Sequence, residues 1–147
     1  MPHATNTVTI DRPVDDVFGY LADGTNNPQW RAGVLEIERT AGDNGLGSTY
    51  RQVLAGPGGR RIAGDYRVTA YTPPTGLAFA VIAGPARPTG RFELAEAGPG
   101  RTTVTFTLDL QPTGLMRLMT AMIAKQMRAE VAQLTRLKTK LEAGRTP

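Results

Sequence analysis

Apolar and polar residues alternate with a period of two through most of this chain and recur with a period near 3.6 at its end. An antiparallel sheet followed by a helix is the expected result. Thr7-Val8-Thr9-Ile10 alternates as a half-buried strand, and Asp11-Arg12-Pro13 stops it. Val14, Val17, Phe18 and Leu21 then fall at helical spacing, with Asp11 or Asp15 placed to cap a short helix. A second helical turn holds Asn26, Asn27, Pro28 and Trp30 before strand resumes over residues 34–39.

From there the pattern is a meander. Gly42-Asp43-Asn44-Gly45, Gly56-Pro57-Gly58-Gly59, Thr72-Pro73-Pro74-Thr75-Gly76 and Ala97-Gly98-Pro99-Gly100 punctuate it, because Gly permits positive φ and Pro ends a hydrogen-bond ladder. Strands are predicted over residues 47–55, 60–71, 77–83, 87–96 and 101–111, and the short connections make them antiparallel neighbours. In the last hairpin, a turn at residues 98–100 that pairs Ala97 with Arg101 also sets Phe92 opposite Phe106 and Leu94 opposite Val104. Thr103, Thr105, Thr107 and Asp109 then face water while Val104, Phe106, Leu108 and Leu110 face a cover. Gly64 invites a bulge that would flip parity along residues 60–71.

The cover is a predicted helix over residues 113–143, whose Leu115, Met119, Met122, Ile123, Met127, Val131, Leu134, Leu137 and Leu141 form one broad apolar stripe toward the sheet. Four of the five methionines, Met116, Met119, Met122 and Met127, lie in this region, and their flexible thioethers suit irregular space. The fold class is therefore α+β: a curved antiparallel sheet of about seven strands wrapped around a long C-terminal helix, with two short helices after the first strand. Residues 1–147 are read as a single domain, a length that supports its own core.

With no cysteine, disulfides, thiolate metal sites and thiol nucleophiles are excluded, and the lone histidine, His3, is expected in a frayed amino terminus. No metal and no cofactor are expected. No apolar run approaches the roughly twenty residues that span a bilayer, and residues 1–20 lack the apolar segment of a secretory signal. A soluble cytoplasmic protein is the expectation. The net charge of +4 is local: residues 113–147 carry seven Lys/Arg against two acids, and residues 1–112 carry ten against eleven. This reads first as a solvated helix face and second as a surface attractive to phosphates or an anionic membrane.

The order of elements resembles the helix-grip fold of the START-like, or Bet v 1-like, superfamily, in its bacterial polyketide cyclase/dehydrase branch. Val8-Thr9-Ile10-Asp11-Arg12-Pro13-Val14-Asp15-Asp16-Val17-Phe18 resembles the opening of such proteins, and Asn26-Asn27-Pro28-Gln29-Trp30 resembles their second helix. Tyr71-Thr72-Pro73-Pro74 is similar to their double-proline strand end, and the segment from Leu134 to Glu142 to their Leu-Lys-x-x-Leu-Glu ending. These are scaffold positions. The resemblance implies a cavity between sheet and C-terminal helix, in a superfamily of cyclases, lipid carriers, hormone receptors and chaperone activators, and does not choose among them.

In such a cavity a polar residue on an inward position is informative. Gln52 shares parity with Tyr50 and Leu54, and Tyr66 with Val68; Gln126 and Glu130 stand four apart on the helix. Glu130 and Tyr66 are the candidate proton-moving residues, since a carboxylate in a low dielectric can act near neutral pH. The candidate ligand-binding set is Trp30, Tyr50, Gln52, Tyr66, Val68, Phe79, Phe92, Phe106, Met119, Met122, Ile123 and Gln126, with Tyr20 beside Trp30 at the cavity mouth. Asp65, Arg51 and Arg67 are read first as solvent-face charges and second as an inward ion pair or a site for an acidic ligand. Three functions follow in order: binding of a small hydrophobic or aromatic ligand; a cyclase/dehydrase-type enzyme; a lipid carrier at an anionic membrane surface. No nucleic-acid partner is expected, and monomer and homodimer both remain open.

Overall fold

The computed structural model describes residues 3–84 and 86–143, without the side chains of Pro57 and Leu115. Strand β1 (His3–Ile10) leads through Pro13 into helix α1 (Val14–Ala22) and a 3-10 turn at Gly24–Gln29. Strands β2 (Val34–Ala41), β3 (Thr49–Ala55), β4 (Arg61–Ala63), β5 (Tyr66–Thr72), β6 (Gly76–Val81), β7 (Thr89–Gly98) and β8 (Arg101–Asp109) follow. A 3-10 segment at Gly114–Met119, helix α2 (Thr120–Ala132) and helix α3 (Leu134–Ala143) close the described chain.

The strands form one eight-stranded antiparallel sheet in the order β1-β8-β7-β6-β5-β3-β2, with β4 paired to β3. Parity explains most of it. Phe92 pairs with Phe106 and Leu94 with Val104, as alternation predicts, but Gly98 rather than Ala97 pairs with Arg101 and Ala97 is the extra residue of a bulge. A positive φ of 130° at Gly98 makes this shift feasible for glycine. The predicted strand over residues 60–71 is broken into β4 and β5, with Gly64 and Asp65 between them. After the break Tyr66 and Val68 are buried while Arg67 is exposed.

His3 is not frayed. It opens β1 and pairs with Asp109, its Nδ1 against the Asp109 carboxylate. On the outer face of the same pair, Thr5, Thr7 and Thr9 meet Thr107, Thr105 and Thr103 through hydroxyl contacts of 3.1, 3.1 and 3.4 Å, and Thr107, expected to face water, is buried among its neighbours. Such cross-strand pairs contribute a few tenths of a kcal/mol each, up to about 1. The expected caps of α1 are absent: Pro13 holds the N-cap position, Asp15 and Asp16 lie in the first turn, and Asp11 pairs with Arg101 instead.

The C-terminal helix grips the sheet near β1 and β8. Met127, Val131, Leu134 and Leu137 are its buried residues. Asn6 donates to Val131 O at 3.1 Å, Lys138 Nζ to Thr9 O at 2.7 Å, and Arg12 Nε to Leu141 O at 2.8 Å. The helix is not continuous as expected: it breaks at Gln133, whose Oε1 accepts from Ala32 N at 3.2 Å. Met119 and Met122 point to solvent rather than to the sheet.

Candidate functional site

The interior under α1 is aromatic. Phe92 and Phe106 stack at 4.4 Å, Trp30 meets both edge-on at 6.1 Å, and Phe79 packs 5.3 Å from Tyr66. Tyr66 in turn stacks on Tyr50 at 4.9 Å. Each pair adds about 0.5–1.5 kcal/mol beyond the area it buries. Filling of this kind leaves little room: the hollow enclosed by these rings has a volume of about 20 Å³, while a more open cleft of about 280 Å³ lies between Val17 and Tyr20 of α1 and the Lys140–Leu141 end of the C-terminal helix. The enclosed hollow suits one water molecule and no larger guest.

The position of this hollow differs from expectation. Its walls are Leu21 and Ala22 of α1, Asn27 and Arg31 of the corner after it, Tyr50 of β3, Tyr66 and Val68 of β5, Leu77, Ala78 and Phe79 of β6, and Phe92 of β7. None comes from the C-terminal helix. Of the candidates, Tyr50, Tyr66, Val68, Phe79 and Phe92 stand on its wall. Gln52 lies just behind them, 2% exposed, and Trp30 and Phe106 belong to the packed aromatic layer. Met119, Met122 and Gln126 lie on the exposed part of α2 and its approach, and Ile123 is only half-buried.

A polar cluster occupies one end. Asn27 Nδ2 donates to Gln52 Oε1 and to Tyr66 Oη, each at 3.2 Å, and Gln52 Nε2 donates to Gly64 O at 3.3 Å. Because Asn27 uses the Tyr66 oxygen as acceptor, the phenolic proton remains available, and no described group accepts it. Burial, and next the neighbouring Tyr50, raise the Tyr66 pKa above the ordinary phenol value, so this side chain is a donor and stays protonated. Tyr50 is raised in the same direction by burial and donates to Asn44 Oδ1. Gly24 makes the arrangement fit: a Cβ there would overlap the Tyr66 hydroxyl and crowd the Tyr50 ring.

Arg31 forms the cationic corner. Its guanidinium lies 5.9 Å from the Trp30 ring centre and binds Glu130, whose side chain is 17% exposed against 8% for Arg31. Glu130 is thus a partner of Arg31 and stands outside the wall of the hollow. Asp65, Arg51 and Arg67 make no inward pair: Arg51 faces water against Glu36 and Glu38, while Asp65 Oδ1 accepts from Gln52 N at 3.3 Å. Tyr20 donates to Gln29 Oε1 at 2.6 Å on the outer side of the corner. Among the described residues no group of three or more His, Asp or Glu side chains could hold a metal ion.

Two further atoms are informative. The Trp30 indole Nε1 and the Ser48 hydroxyl are buried with no hydrogen-bond partner among the described residues, although buried polar atoms nearly always have one. Sequence reasoning passed over Asn27 and Arg31 as site residues. Each is a single polar residue in or beside a 3-10 turn, where no alternation marks an inward position; their only signal was their place in the Asn-Asn-Pro-Gln-Trp-Arg segment.

A sheet curved around a C-terminal helix, with two short helices after the first strand, is the helix-grip architecture of the START/Bet v 1 superfamily. Residues 1–142 match the family described as polyketide cyclase / dehydrase and lipid transport, and the chain belongs to it. A solved structure of TTHA0849 from Thermus thermophilus is similar at 19% identity and TM-score 0.82, covering 99% of this chain and 100% of that one. The Zhui aromatase/cyclase from a Streptomyces species (R1128) is similar at 16% identity and TM-score 0.70, with 98% of each chain covered. A START superfamily protein from Mycobacterium smegmatis gives 21% identity and TM-score 0.64, covering 90% of this chain and 98% of its own. At these identities the likeness is one of fold. No curated protein sequence matches the chain.

Proposed function

We propose that this protein binds a small hydrophobic molecule carrying at least one carbonyl or phenolic oxygen, with its rings against Phe79, Phe92 and Tyr50 and its oxygen at Tyr66. The supporting observation is the buried Asn27–Gln52–Tyr66 cluster with an undonated phenolic proton at the end of an aromatic wall. A buried polar atom must be compensated, and the Tyr66 phenolic proton finds no acceptor among the described residues, which leaves it free for a ligand oxygen. Membership of the family and the aromatase/cyclase among its structural relatives support the same class of ligand.

The hollow of about 20 Å³ is the closed form in this reading. A guest makes its own room by displacing the α1 corner, or Leu77 and Phe79, from their present positions. Cyclase-type chemistry is the second reading, favoured by one feature: Tyr66 and Arg31 together could stabilise negative charge growing on a ligand oxygen. The wall offers donors but no carboxylate or imidazole to take a proton, which is why binding is placed first.

The test is titration of a hydroxynaphthoquinone probe into the wild type and Tyr66→Phe, followed by calorimetry or tyrosine fluorescence. Loss of one hydrogen bond of about 0.5–1.5 kcal/mol corresponds to an affinity lowered roughly two- to twelve-fold. Absence of saturable binding to the wild type, or equal affinity in both proteins, would overturn the proposal.

A further inference from the structure

The approach to the C-terminal helix is amphipathic: Met116 and Ile123 pack against the core, yet among the described residues nothing covers Leu118, Met119 and Met122. No described side chain of residues 113–126 is buried, and the first buried one is Met127. Leu118 is 84% exposed, Met119 42% and Met122 50%. At roughly 100° per residue, Met122 and Lys125 project away from the arc of Met127, Val131 and Leu134 that meets the sheet. Met122, and Leu118 at 84% exposure, are therefore not an incomplete edge of the core.

Charge identifies what would cover them. Arg117, Lys125 and Arg128 are exposed around this face, and none makes an ion pair among the described residues. No Asp or Glu occurs between Asp109 and Glu130. A protein surface seeking a specific partner presents shaped pockets, aromatic anchors or hydrogen-bonding groups. This face instead offers flexible aliphatic side chains ringed by long cationic ones, the pattern of a helix lying in the plane of a membrane interface. Among the described residues no helix is long and apolar enough to cross a bilayer, so contact would be peripheral.

We propose that the face carrying Leu118, Met119 and Met122 docks on an anionic phospholipid surface, with Arg117, Lys125 and Arg128 at the headgroups. This stands independently of what the interior binds. Each cation near such a surface contributes about a five-fold gain in partitioning, and each buried aliphatic side chain about ten-fold.

Vesicle flotation tests it, using phosphatidylcholine vesicles with and without phosphatidylglycerol across a salt series. Wild type is expected to bind the anionic vesicles, more weakly as salt rises, and to bind neutral ones poorly. Leu118→Ser/Met122→Ser and Arg117→Gln/Lys125→Gln are each expected to lower anionic binding ten-fold or more. All four positions are exposed, so unchanged circular dichroism and melting temperature will confirm folded variants. Failure of the wild type to bind anionic vesicles, or binding indifferent to both double variants, overturns the proposal. So does a concentration-dependent dimer that Leu118→Ser/Met122→Ser dissociates without altering flotation, because the face would then belong to a second copy.

Discussion

Arg31 and Glu130 meet where the corner after α1 touches α2: Nε and Nη2 of Arg31 both reach Oε2 of Glu130, at 3.2 and 3.1 Å. One link thus joins a wall residue of the hollow to the helix that grips the sheet. Two residues beyond Arg31, Gly33 faces the same carboxylate, where an added Cβ would stand 3.3 Å from Glu130 Oε1. The carboxylate orients the guanidinium, and the guanidinium stands over Trp30.

Removing either partner leaves a partly buried charge uncompensated. Arg31→Ala and Glu130→Ala are each expected to cost about 1–3 kcal/mol in urea unfolding, below the value for a fully buried pair because Glu130 keeps some contact with water. The double variant should lose less than the sum of the singles by about 1 kcal/mol. Strict additivity would show that the pair makes no coupled contribution in solution.

The sheet was legible where alternation and a short turn act together. Phe92 and Phe106 had to face the same side once the last hairpin was closed, and a bulge at Ala97 left that parity intact. The helix was legible as a helix but not in its buried arc. Apolar residues occupy half its circumference, so Met122 could have been placed inward or outward, and only contact with β1 and β8 selected Met127, Val131 and Leu134. Glu130 was seen as a polar residue within that half-circle, but its partner was not, because Arg31 lies 99 residues away and follows a 3-10 turn. The walls of the hollow under α1 were not legible for the same reason: sequence shows which residues are apolar, not which element of the cover they meet.

Gly24 provides a local test of the polar cluster. Gly24→Ala is expected to destabilise the protein by about 1–3 kcal/mol, since its Cβ would collide with the Tyr66 hydroxyl and the Tyr50 ring. Adding Tyr66→Phe removes the first obstacle, so the double variant should recover part of the loss. If Gly24→Ala alone melts with the wild type, the close approach of the corner to β5 is not maintained in solution.

Alkaline pH should weaken the fold through the same tyrosine. The unfolded chain releases the phenolic proton near the ordinary value of 10.0, whereas the folded chain holds it to higher pH. Above that value the unfolded state binds fewer protons than the folded one, so stability is complete below it and declines as pH rises. Tyr50 and Tyr20, also raised by burial, act in the same direction. Tyr66→Phe should flatten the decline without abolishing it. Phenolate absorbance that develops fully while circular dichroism stays native would show that Tyr66 is open to water.

Phe79 is the side chain whose removal should turn the closed hollow into an open one. It stands on the wall, touches Tyr66, Phe92 and Phe106, and lies against Gly90, where any Cβ would strike its ring. Phe79→Ala is expected to cost about 3–5 kcal/mol, and Phe79→Leu less, because a cavity remains where the ring was. The enlarged space still borders Tyr66 Oη. If ligand size is limited by the packed rings, Phe79→Leu should bind a hydroxynaphthoquinone more tightly than the wild type while Phe79→Leu/Tyr66→Phe does not. Calorimetry of the three proteins decides it: an affinity unchanged by Phe79→Leu would mean that the guest does not displace this ring, and would turn attention to movement of α1.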